Sequence, residues 1–376
     1  MRYLLTPCTV YTGTEVLPNH AVLVNGDRIE AVLPVAGGLP AIVPQRDGRG
    51  LNLCPGFVDL QIYGGGGGLF SVAPTPTVLA SLRAHTLRHG TTSFLPCLPT
   101  SPPALMREAL ATVRAALPTM PTMPGLLGLH LEGPYINPVK KGAHQQAFIQ
   151  TPTPQAIDEL LAEADGALRF MTLAPERVSP AVVARLRAAG VVLSAGHSAA
   201  TYEQATAAFA NGFTTATHLF NAMSGFESRA PGLVGAVYDH PVACASIIVD
   251  GVHCAYAAAR VSQKVMGERL FLITDATEAG TVGAYRFRRQ GDHFVDENGT
   301  LAGSALTMLT AVQNCVRHVG LPLAEALRMA SGYPARVVGL DHEIGRIAPG
   351  YRADMCLFDN DFQAHATVLG GEWHPT

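Results

Sequence analysis

Polar side chains that can bind a metal ion or transfer a proton follow several short apolar runs of this sequence. Glu132 follows "GLHL", His197 lies in "SAGHS", His218 lies in "ATHLF" and Asp275 lies in "LITDAT". Two neutral imidazoles and one carboxylate make a three-ligand site with one position left for water, which is the pattern of a catalytic zinc or similar divalent ion. A nearby carboxylate such as Asp275 can accept a proton from that water and later donate it to a leaving amine.

Each of these residues also has a simpler structural interpretation. A single histidine at the end of a strand is commonly a hydrogen-bonded structural residue. Glu132 can likewise be a carboxylate that forms an ion pair at the rim of the fold. Asp275 precedes "ATEAG", and aspartate is a favoured helix N-cap. No short spacing motif links the three ligand candidates, so the metal site depends on a fold that brings them together.

The middle of the chain alternates short apolar runs with stretches of helical period, which are the elements that would position these side chains. The eight runs are Gly56–Leu60, Thr92–Leu95, Leu126–Leu131, Leu168–Leu173, Val191–Ala195, Thr214–Thr217, Ala245–Val249 and Phe271–Thr274. Helix candidates such as "AVVARLRAAG" lie between most of them and close with glycine, a usual C-cap. The alternation predicts an α/β fold with parallel strands, and eight units fit a (β/α)8 TIM-like barrel; a doubly wound open sheet is the alternative. In such a barrel the C-terminal ends of the strands share one face, where catalytic residues lie.

The two ends of the chain have a different pattern. "HAVLVNGDRIEAVLP" contains two strand-like runs around Asn25-Gly26, which is a strong hairpin signal. The segment after residue 342 is also strand-like and is broken by turn pairs such as Pro349-Gly350.

Composition excludes several classes of partner. The chain has 376 residues, of which 48% are hydrophobic and 15% charged, with a formal net charge of −3 and no long basic run. Neither nucleic acid nor an anionic membrane surface is favoured. We find no signal-peptide pattern and no apolar stretch of the roughly 20 residues that a membrane-spanning helix needs. The seven cysteines are scattered without a CxxC pair, which predicts reduced thiols in a cytoplasmic protein.

Several of these stretches together resemble a known family. They occur in the order "PGFVDLQIYGGGG", "HLEGPYINPVKKGAH", "SAGHS", "THLFNAM", "DGVHC", "TDAT" and "DENGTLAGSALTM". Over about residues 50 to 355 the chain resembles the N-acetylglucosamine-6-phosphate deacetylases of the amidohydrolase superfamily. The resemblance implies a barrel domain over 55–341 and a small β-sandwich domain formed from 1–54 plus 342–376. It also implies removal of acetate from N-acetyl-D-glucosamine 6-phosphate to give D-glucosamine 6-phosphate.

The resemblance also assigns catalytic roles. Glu132, His197 and His218 match metal ligands that would hold one divalent ion, with zinc expected and Co²⁺, Mn²⁺ or Fe²⁺ as alternatives. The ion would activate a water molecule, and Asp275 matches the acid/base. His144 in "KKGAH" matches a residue that would stabilise the developing oxyanion.

Further positions match contacts to a phosphorylated amino sugar. The substrate-binding candidates are Ala143, Asn221, Ala222, Arg229, His253, Leu301, Ala302 and Gly303. Arg229 matches the phosphate anchor, for which the planar guanidinium is suited. His253 matches a contact that a neighbouring subunit would donate, so the resemblance implies a homodimer.

The stretch "VDLQIYGGGGG" departs from the superfamily pattern. The superfamily commonly has His-x-His at the end of the first strand for one metal of a two-metal site, whereas this chain has Gln61 and Tyr63. Neither side chain replaces imidazole well as a zinc ligand, so we interpret the two positions as a lost second-metal site. The five glycines lack a GK[ST] ending, which argues against a phosphate-binding loop.

Other functions stay open at this point. A different amidohydrolase, such as a cyclic-amide hydrolase or deaminase, would be expected to keep His-x-His. A galactosamine-type substrate is compatible with the same residues, because the configuration at C4 is not encoded in them. A non-catalytic barrel protein would be expected to lose at least one of the ligand or acid/base candidates. Glu278 adds a carboxylate near the site without an assigned role.

Overall fold

The computed structural model describes residues 1–117, 124–280 and 285–376. The chain forms two compact units. One comprises Met1–Asp59, Ala84–Ser93 and Thr307–Thr376, and the other comprises Leu60–Arg83 and Phe94–Leu306. In the described ranges, no helix has the length and apolarity that crossing a membrane requires.

The bounds of the strands and helices are as follows. The strands are β1 (Arg2–Tyr11), β2 (Val16–Asn25), β3 (Arg28–Pro34), β4 (Gln45–Asp47), β5 (Asn52–Pro55), β6 (Phe57–Ile62), β7 (Gly64–Gly65), β8 (Gly68–Leu69), β9 (Thr91–Pro99), β10 (Leu129–Glu132), β11 (Leu168–Leu173), β12 (Val192–Ala195), β13 (Thr215–Ala216), β14 (Cys244–Ile247), β15 (Leu270–Leu272), β16 (Arg288–Gln290), β17 (His293–Val295), β18 (Leu301–Ser304), β19 (Met355–Phe358), β20 (Ala364–Leu369) and β21 (Glu372–Pro375). The helices are α1 (Pro76–Arg88), α2 (Pro103–Ala116), α3 (Pro154–Ala164), α4 (Pro180–Ala188), α5 (Tyr202–Ala210), α6 (Gly232–Asp239), α7 (Tyr256–Met266), α8 (Met308–Asn314), α9 (Leu323–Ala330) and α10 (Gly332–Val337).

Eight parallel strands form the predicted barrel. Their order is β6, β9, β10, β11, β12, β13, β14 and β15, which is also the order of the eight apolar runs in the sequence. The sheet closes where Ile62 pairs in parallel with Ala276 and the Asp275 amide donates to the Gln61 carbonyl at 3.0 Å. This closure confirms the (β/α)8 barrel and excludes the doubly wound open sheet.

The barrel strands are short and apolar because they are covered on both faces. All nine residues of β9 and all six of β6 are buried, as expected for a parallel sheet between a filled interior and a ring of helices. Strands of this type appear in a sequence as continuous apolar runs, which is why the runs were detectable.

Buried polar side chains connect four neighbouring strands inside the barrel. The His130 ring lies 2.8 Å from Thr172 Oγ1, which lies 2.8 Å from Thr217 Oγ1, and Thr217 in turn bonds Ser194 at 2.5 Å. Burial lowers the pKa of His130 to about 4, so this ring is neutral and serves as both donor and acceptor. The network joins β10 to β13 directly beneath the strand ends that carry the ligand candidates.

A small three-stranded sheet follows the last barrel strand and was not predicted as strands. It consists of β16, β17 and β18 in antiparallel order. Tyr285, Phe287 and Phe294 form an apolar cluster there, against which Leu69 from the glycine-rich hairpin β7–β8 packs. The short strands and their charged outer residues give too weak a period-2 pattern to recognise in the sequence.

The other unit contains the predicted β-sandwich formed from both chain ends. Its sheet has the order β21, β20, β19, β5, β1, β2 and β3, with β4 beside β1. Side chains alternate between two apolar clusters: Tyr3 and Leu5 of β1 belong to one, and Leu4 belongs to the other. The domain boundaries 1–54 plus 342–376 and 55–341 stay a prediction.

Candidate metal centre and active site

Three ligand candidates meet at the C-terminal end of the barrel. Glu132 Oε1 lies 3.1 Å from His197 Nε2 and 2.9 Å from His218 Nε2, and the two ring nitrogens are 3.2 Å apart. A tetrahedral ion with bonds of about 2.0–2.1 Å holds its ligand atoms roughly 3.3 Å from one another. These three buried atoms therefore have the spacing that a single divalent ion requires.

The local backbone directs both histidines into the cavity. His197 and His218 follow β12 and β13 with φ of 46° and 37°, a left-handed conformation that non-glycine residues rarely adopt. Gly196 before His197 has no room for a side chain, because a Cβ there would lie 2.7 Å from the Thr172 side chain. The sequence "SAGHS" thus combines close strand packing with an inward-facing imidazole.

Hydrogen bonding fixes His197 in the form that binds a metal. Its Nδ1 lies 2.8 Å from the Lys140 carbonyl oxygen, so Nδ1 carries a proton and Nε2 is directed at Glu132 Oε1. Burial opposes protonation of this ring, but the Glu132 charge outweighs burial and raises the pKa of His197, so a bound metal ion would replace the Nε2 proton. Second-shell carbonyls commonly orient metal-binding histidines in this way. The buried His218 Nδ1 has no hydrogen-bond partner among the described residues, and its Nε2 likewise faces Glu132.

His144 is also close to Glu132, but its tautomer differs. Glu132, His144 and His197 by themselves form a compact group of possible ligands. However, the Thr100 backbone N–H donates to His144 Nδ1 at 3.3 Å, so Nε2 carries the proton and donates to Glu132 Oε2 at 2.9 Å. A protonated nitrogen cannot bind a metal, so we take His218 as the third ligand. His144 instead offers an N–H donor at the edge of the centre.

Burial and neighbouring charges determine the ionisation of Glu132, His144 and His218. Burial opposes ionisation of Glu132, but the charge of His197 and the hydrogen bonds from His144 and His197 outweigh it and hold the pKa of the carboxyl well below its usual range. Burial lowers the pKa of His218, and lowers that of His144 to about 4. Glu132 is therefore an anion, and His144 and His218 are neutral near pH 7.

Asp275 lies beside the ligand group and faces the cavity. It has φ of 53° and is not followed by a helix, so the N-cap interpretation was wrong. Its Oδ2 lies 3.9 Å from His253 Nε2, and His253 Nδ1 lies 2.6 Å from Asp250 Oδ2. The Asp250–His253 pair thus faces Asp275, the carboxylate that we expect to transfer protons.

Gln61 and Tyr63, the positions predicted to have lost a second metal, are hydrogen-bonded to the carboxylates of the centre. The Gln61 amide nitrogen lies 2.8 Å from Asp275 Oδ1 and 3.1 Å from Glu132 Oε1. The Tyr63 hydroxyl donates to Glu132 Oε2 at 2.5 Å, and burial raises the pKa of Tyr63 well above its usual value. Neutral donors therefore hold both carboxylates in place.

The ligand group lines a cavity of about 210 Å³. Most of the predicted substrate-binding residues line it too: Ala143, Asn221, Ala222, His253, Leu301, Ala302 and Gly303. His253 lines the cavity of its own chain, and its donation to a neighbouring site stays a prediction. Arg229 lies on an exposed loop and does not line this cavity.

Glu278 and several unpredicted residues complete the surroundings. Glu278 accepts a hydrogen bond from the Gly67 amide at 3.2 Å, which connects the loop after β15 to the glycine hairpin. The cavity is also lined by Ser71, Pro99, Tyr285 and Phe287. No sequence signal marked these four residues, because none belongs to a recognisable motif: Ser71 follows β8, Pro99 ends β9, and Tyr285 and Phe287 precede β16.

Comparison with known proteins places the whole chain among deacetylase-like sequences. Residues 52–373 match the amidohydrolase family, and residues 2–53 match the NagA composite domain. N-acetylglucosamine-6-phosphate deacetylase of Haemophilus influenzae is 39% identical over 99% of both chains. N-acetylgalactosamine-6-phosphate deacetylase of Escherichia coli O157:H7 is 33% identical over 99% of both chains. The crystal structure of N-acetylglucosamine-6-phosphate deacetylase from Pasteurella multocida has a TM-score of 0.96 and 38% identity, covering 100% of each chain.

Proposed function

Because this chain belongs to the amidohydrolase family, we propose that it hydrolyses N-acetyl-D-glucosamine 6-phosphate to acetate and D-glucosamine 6-phosphate. The observation that carries the proposal is the buried triangle of Glu132, His197 and His218 beside Asp275. A non-catalytic barrel would not be expected to keep all four groups in this geometry.

One divalent ion fits the residues present, and we propose zinc. Glu132, His197 and His218 would hold it, since two neutral imidazoles and one carboxylate are the donors of catalytic zinc sites. When bound, such an ion lowers the pKa of water and polarises a carbonyl. Gln61 and Tyr63 leave no second set of imidazole ligands, which supports a single ion per chain.

Asp275 would act as general base and then as general acid. Asp275 is 7% exposed, and its carboxylate is oriented by the Gln61 amide at one oxygen, while the other oxygen faces His253. It would accept the proton of the attacking water and return it to the sugar nitrogen as the C–N bond breaks. His144, with its Nε2–H directed at the centre, would donate to the oxygen of the tetrahedral intermediate.

The phosphate would be bound at the side of the cavity formed by the loops after β13 and β14. Asn221, Ala222 and His253 line that side within the chain itself. We propose Arg229 as the phosphate anchor and a homodimer as the assembly. In that assembly His253 would contact the substrate of the neighbouring subunit, and the exposed Arg229 would also be accessible across the interface.

The 4-epimer, N-acetyl-D-galactosamine 6-phosphate, is the second candidate substrate. The relative from Escherichia coli O157:H7 that carries that name covers the chain as completely as the glucosamine-type relative, although its identity is lower. We also propose a cytoplasmic location, which is supported by the seven free cysteines.

The test is acetate release from N-acetyl-D-glucosamine 6-phosphate by metal-stripped protein, before and after zinc is restored. We expect release only with metal, at about one ion per chain. Parallel assays with the galactosamine epimer rank the two substrates. A folded protein that releases no acetate with Zn²⁺, Co²⁺, Mn²⁺ or Fe²⁺ would overturn the proposal.

A further inference from the structure

Glu176 is a carboxylate that joins two loops of the candidate metal centre from outside the cavity. It lies in the 3₁₀ turn Pro175–Arg177, directly after β11, and does not line the cavity. Its oxygens accept hydrogen bonds from the Asn137 side-chain amide at 2.8 Å, the Ser198 hydroxyl at 2.7 Å and the Ala199 backbone N–H at 2.7 Å. Hydrogen bonds to an ionised carboxylate are stronger than those between neutral groups. Glu176 therefore links the loop after β10 to the loop after β12.

The bond to Asn137 acts on the group that orients His197. Asn137 caps the 3₁₀ turn Pro138–Lys140: its Oδ1 accepts from the Val139 amide at 3.0 Å, and its carbonyl accepts from the Lys140 amide at 2.9 Å. The Lys140 carbonyl is the acceptor that lies 2.8 Å from His197 Nδ1. The Asn137 amide also donates to the His197 carbonyl at 2.9 Å. Because Glu176 holds the Asn137 side chain, it also holds the turn whose carbonyl sets the His197 ring.

The bonds to Ser198 and Ala199 act on the backbone immediately after His197. His197 has φ of 46°, and a non-glycine residue keeps such a conformation only where its surroundings enforce it. Glu176 binds the side chain of the next residue and the amide of the one after that. The carboxylate thus constrains His197 from both sides, through the chain that follows it and through the partner of its Nδ1.

The segment at Ser198 also pairs with the loop that carries the other histidine ligand candidate. The Ser198 amide donates to the Ala222 carbonyl at 3.0 Å, and the Ser224 amide donates to the Ser198 carbonyl at 3.0 Å. These bonds join the loop after β12 to the loop after β13, which begins with His218. A displacement of Ser198 would therefore reach both imidazoles of the centre.

We propose that Glu176 is a positioning residue for the metal ion: it increases the zinc affinity of the chain by holding His197 in the orientation that binds the ion. The inference rests on the proposed function, because that function supplies the metal ion. Removal of a group that orients a metal ligand typically lowers metal affinity by about 10–100-fold. Since Glu176 contributes nothing to the cavity wall, its removal acts on metal affinity more than on the turnover of the zinc-loaded protein.

The test measures the zinc dissociation constant of metal-stripped protein by competition with a chromophoric chelator. Glu176→Ala should raise this constant roughly tenfold or more, while kcat for acetate release at saturating zinc changes much less. Glu176→Gln should keep most of the zinc affinity. Its amide oxygen can still accept from Asn137 and Ala199, and its amide N–H can donate to the Ser198 hydroxyl oxygen.

Asp359→Ala is the matched control variant. Asp359 also holds a loop with three hydrogen bonds, which it accepts at 2.9 Å from Asp361, Gln363 and His365. It belongs to the other compact unit and contacts neither ligand-bearing loop. The melting temperature of this variant should fall, whereas its zinc dissociation constant should stay at the wild-type value.

Two further variants keep the test decisive if Glu176→Ala does not fold. Asn137→Ala and Ser198→Ala each remove one of the three bonds, and each should raise the zinc dissociation constant severalfold. A wild-type constant in Glu176→Ala, or in both single-bond variants, would overturn the inference. Wild-type zinc binding and acetate release with an unchanged constant in Glu176→Ala remove only the role of Glu176, whereas a wild type that binds no zinc removes the proposed function as well.

Discussion

The Gln61 side-chain amide donates a hydrogen bond to Asp275 Oδ1 at 2.8 Å, across the seam where the first and last barrel strands meet. The same nitrogen lies 3.1 Å from Glu132 Oε1. A neutral amide thus lies within hydrogen-bond distance of both carboxylates. Gln61 and Tyr63 in place of His-x-His therefore predict one metal ion per chain.

Replacing both strand-end residues by histidine should restore a second metal site. In Gln61→His/Tyr63→His the two imidazoles would project from one face of β6, since residues two apart in a strand point the same way. We expect about two zinc ions per chain by elemental analysis, against about one in the wild type. Tyr63→Phe is the control, because it removes the bond to Glu132 without adding a ligand and should stay at one ion. A double variant that still binds one ion would contradict this explanation of Gln61 and Tyr63.

Asp275→Asn should remove most of the turnover while leaving the metal in place. An amide accepts no proton, and positioned proton transfer typically contributes about 10²–10⁴-fold to the rate. The decrease should appear in kcat, with metal content and melting temperature close to those of the wild type. Asp158→Asn alters an exposed carboxylate on α3 and serves as the control. Near-normal kcat in Asp275→Asn would refute the acid/base role.

Arg229→Ala should weaken binding of the phosphorylated substrate. A charge-assisted hydrogen bond contributes about 1.5–3 kcal/mol, so KM for N-acetyl-D-glucosamine 6-phosphate should rise roughly tenfold or more with little change in kcat. Activity on the sugar without phosphate should be unaffected. Arg107→Ala removes a comparably exposed arginine on α2 and provides the reference. An unchanged KM in Arg229→Ala would assign the phosphate to other residues.

Stability should fall in mild acid in part because of His89. Partial burial and the neighbouring charges of His85 and Arg88 lower the pKa of His89 to about 4 in the folded chain. The ordinary value near 6.5 applies to the unfolded chain, which therefore binds more protons between about pH 6.5 and 4. The stabilisation is fully present above that range and is lost as the pH falls through it. Denaturant unfolding of His89→Gln should show a shallower decrease between these pH values than the wild type, and an identical slope would contradict the assignment.

The fold was predictable because its strands are buried on both faces. Runs such as Leu168–Leu173 coincide with β11, and the ends of such runs located Glu132 and Asp275 correctly. The boundaries were less certain: the run Leu126–Leu131 became β10 (Leu129–Glu132), because Leu126 pairs with Phe94 of β9 only as an isolated bridge. Local composition does not record where a neighbouring strand begins to pair.

The contacts around the metal centre could not be predicted, because the residues that form them are far apart in the sequence. Tyr63 bonds Glu132, and Tyr285 bonds Thr100, across 69 and 185 positions of the chain. Neither pair has a sequence spacing that marks it. The tautomer of His144 likewise depends on one backbone amide that only the folded chain brings close.

The pairing of β5 with β19 has a consequence for the synthesis of the chain. Cys54 lies opposite Cys356 in this antiparallel pair, so the two strands are separated by about 300 residues. At a translation rate of about 5–20 residues per second, the edge of β5 stays without its partner for roughly 15–60 s. An open strand edge is a template for pairing with another chain. The edge of β5 is therefore exposed during most of elongation and can be covered only after Met355–Phe358 has been synthesised.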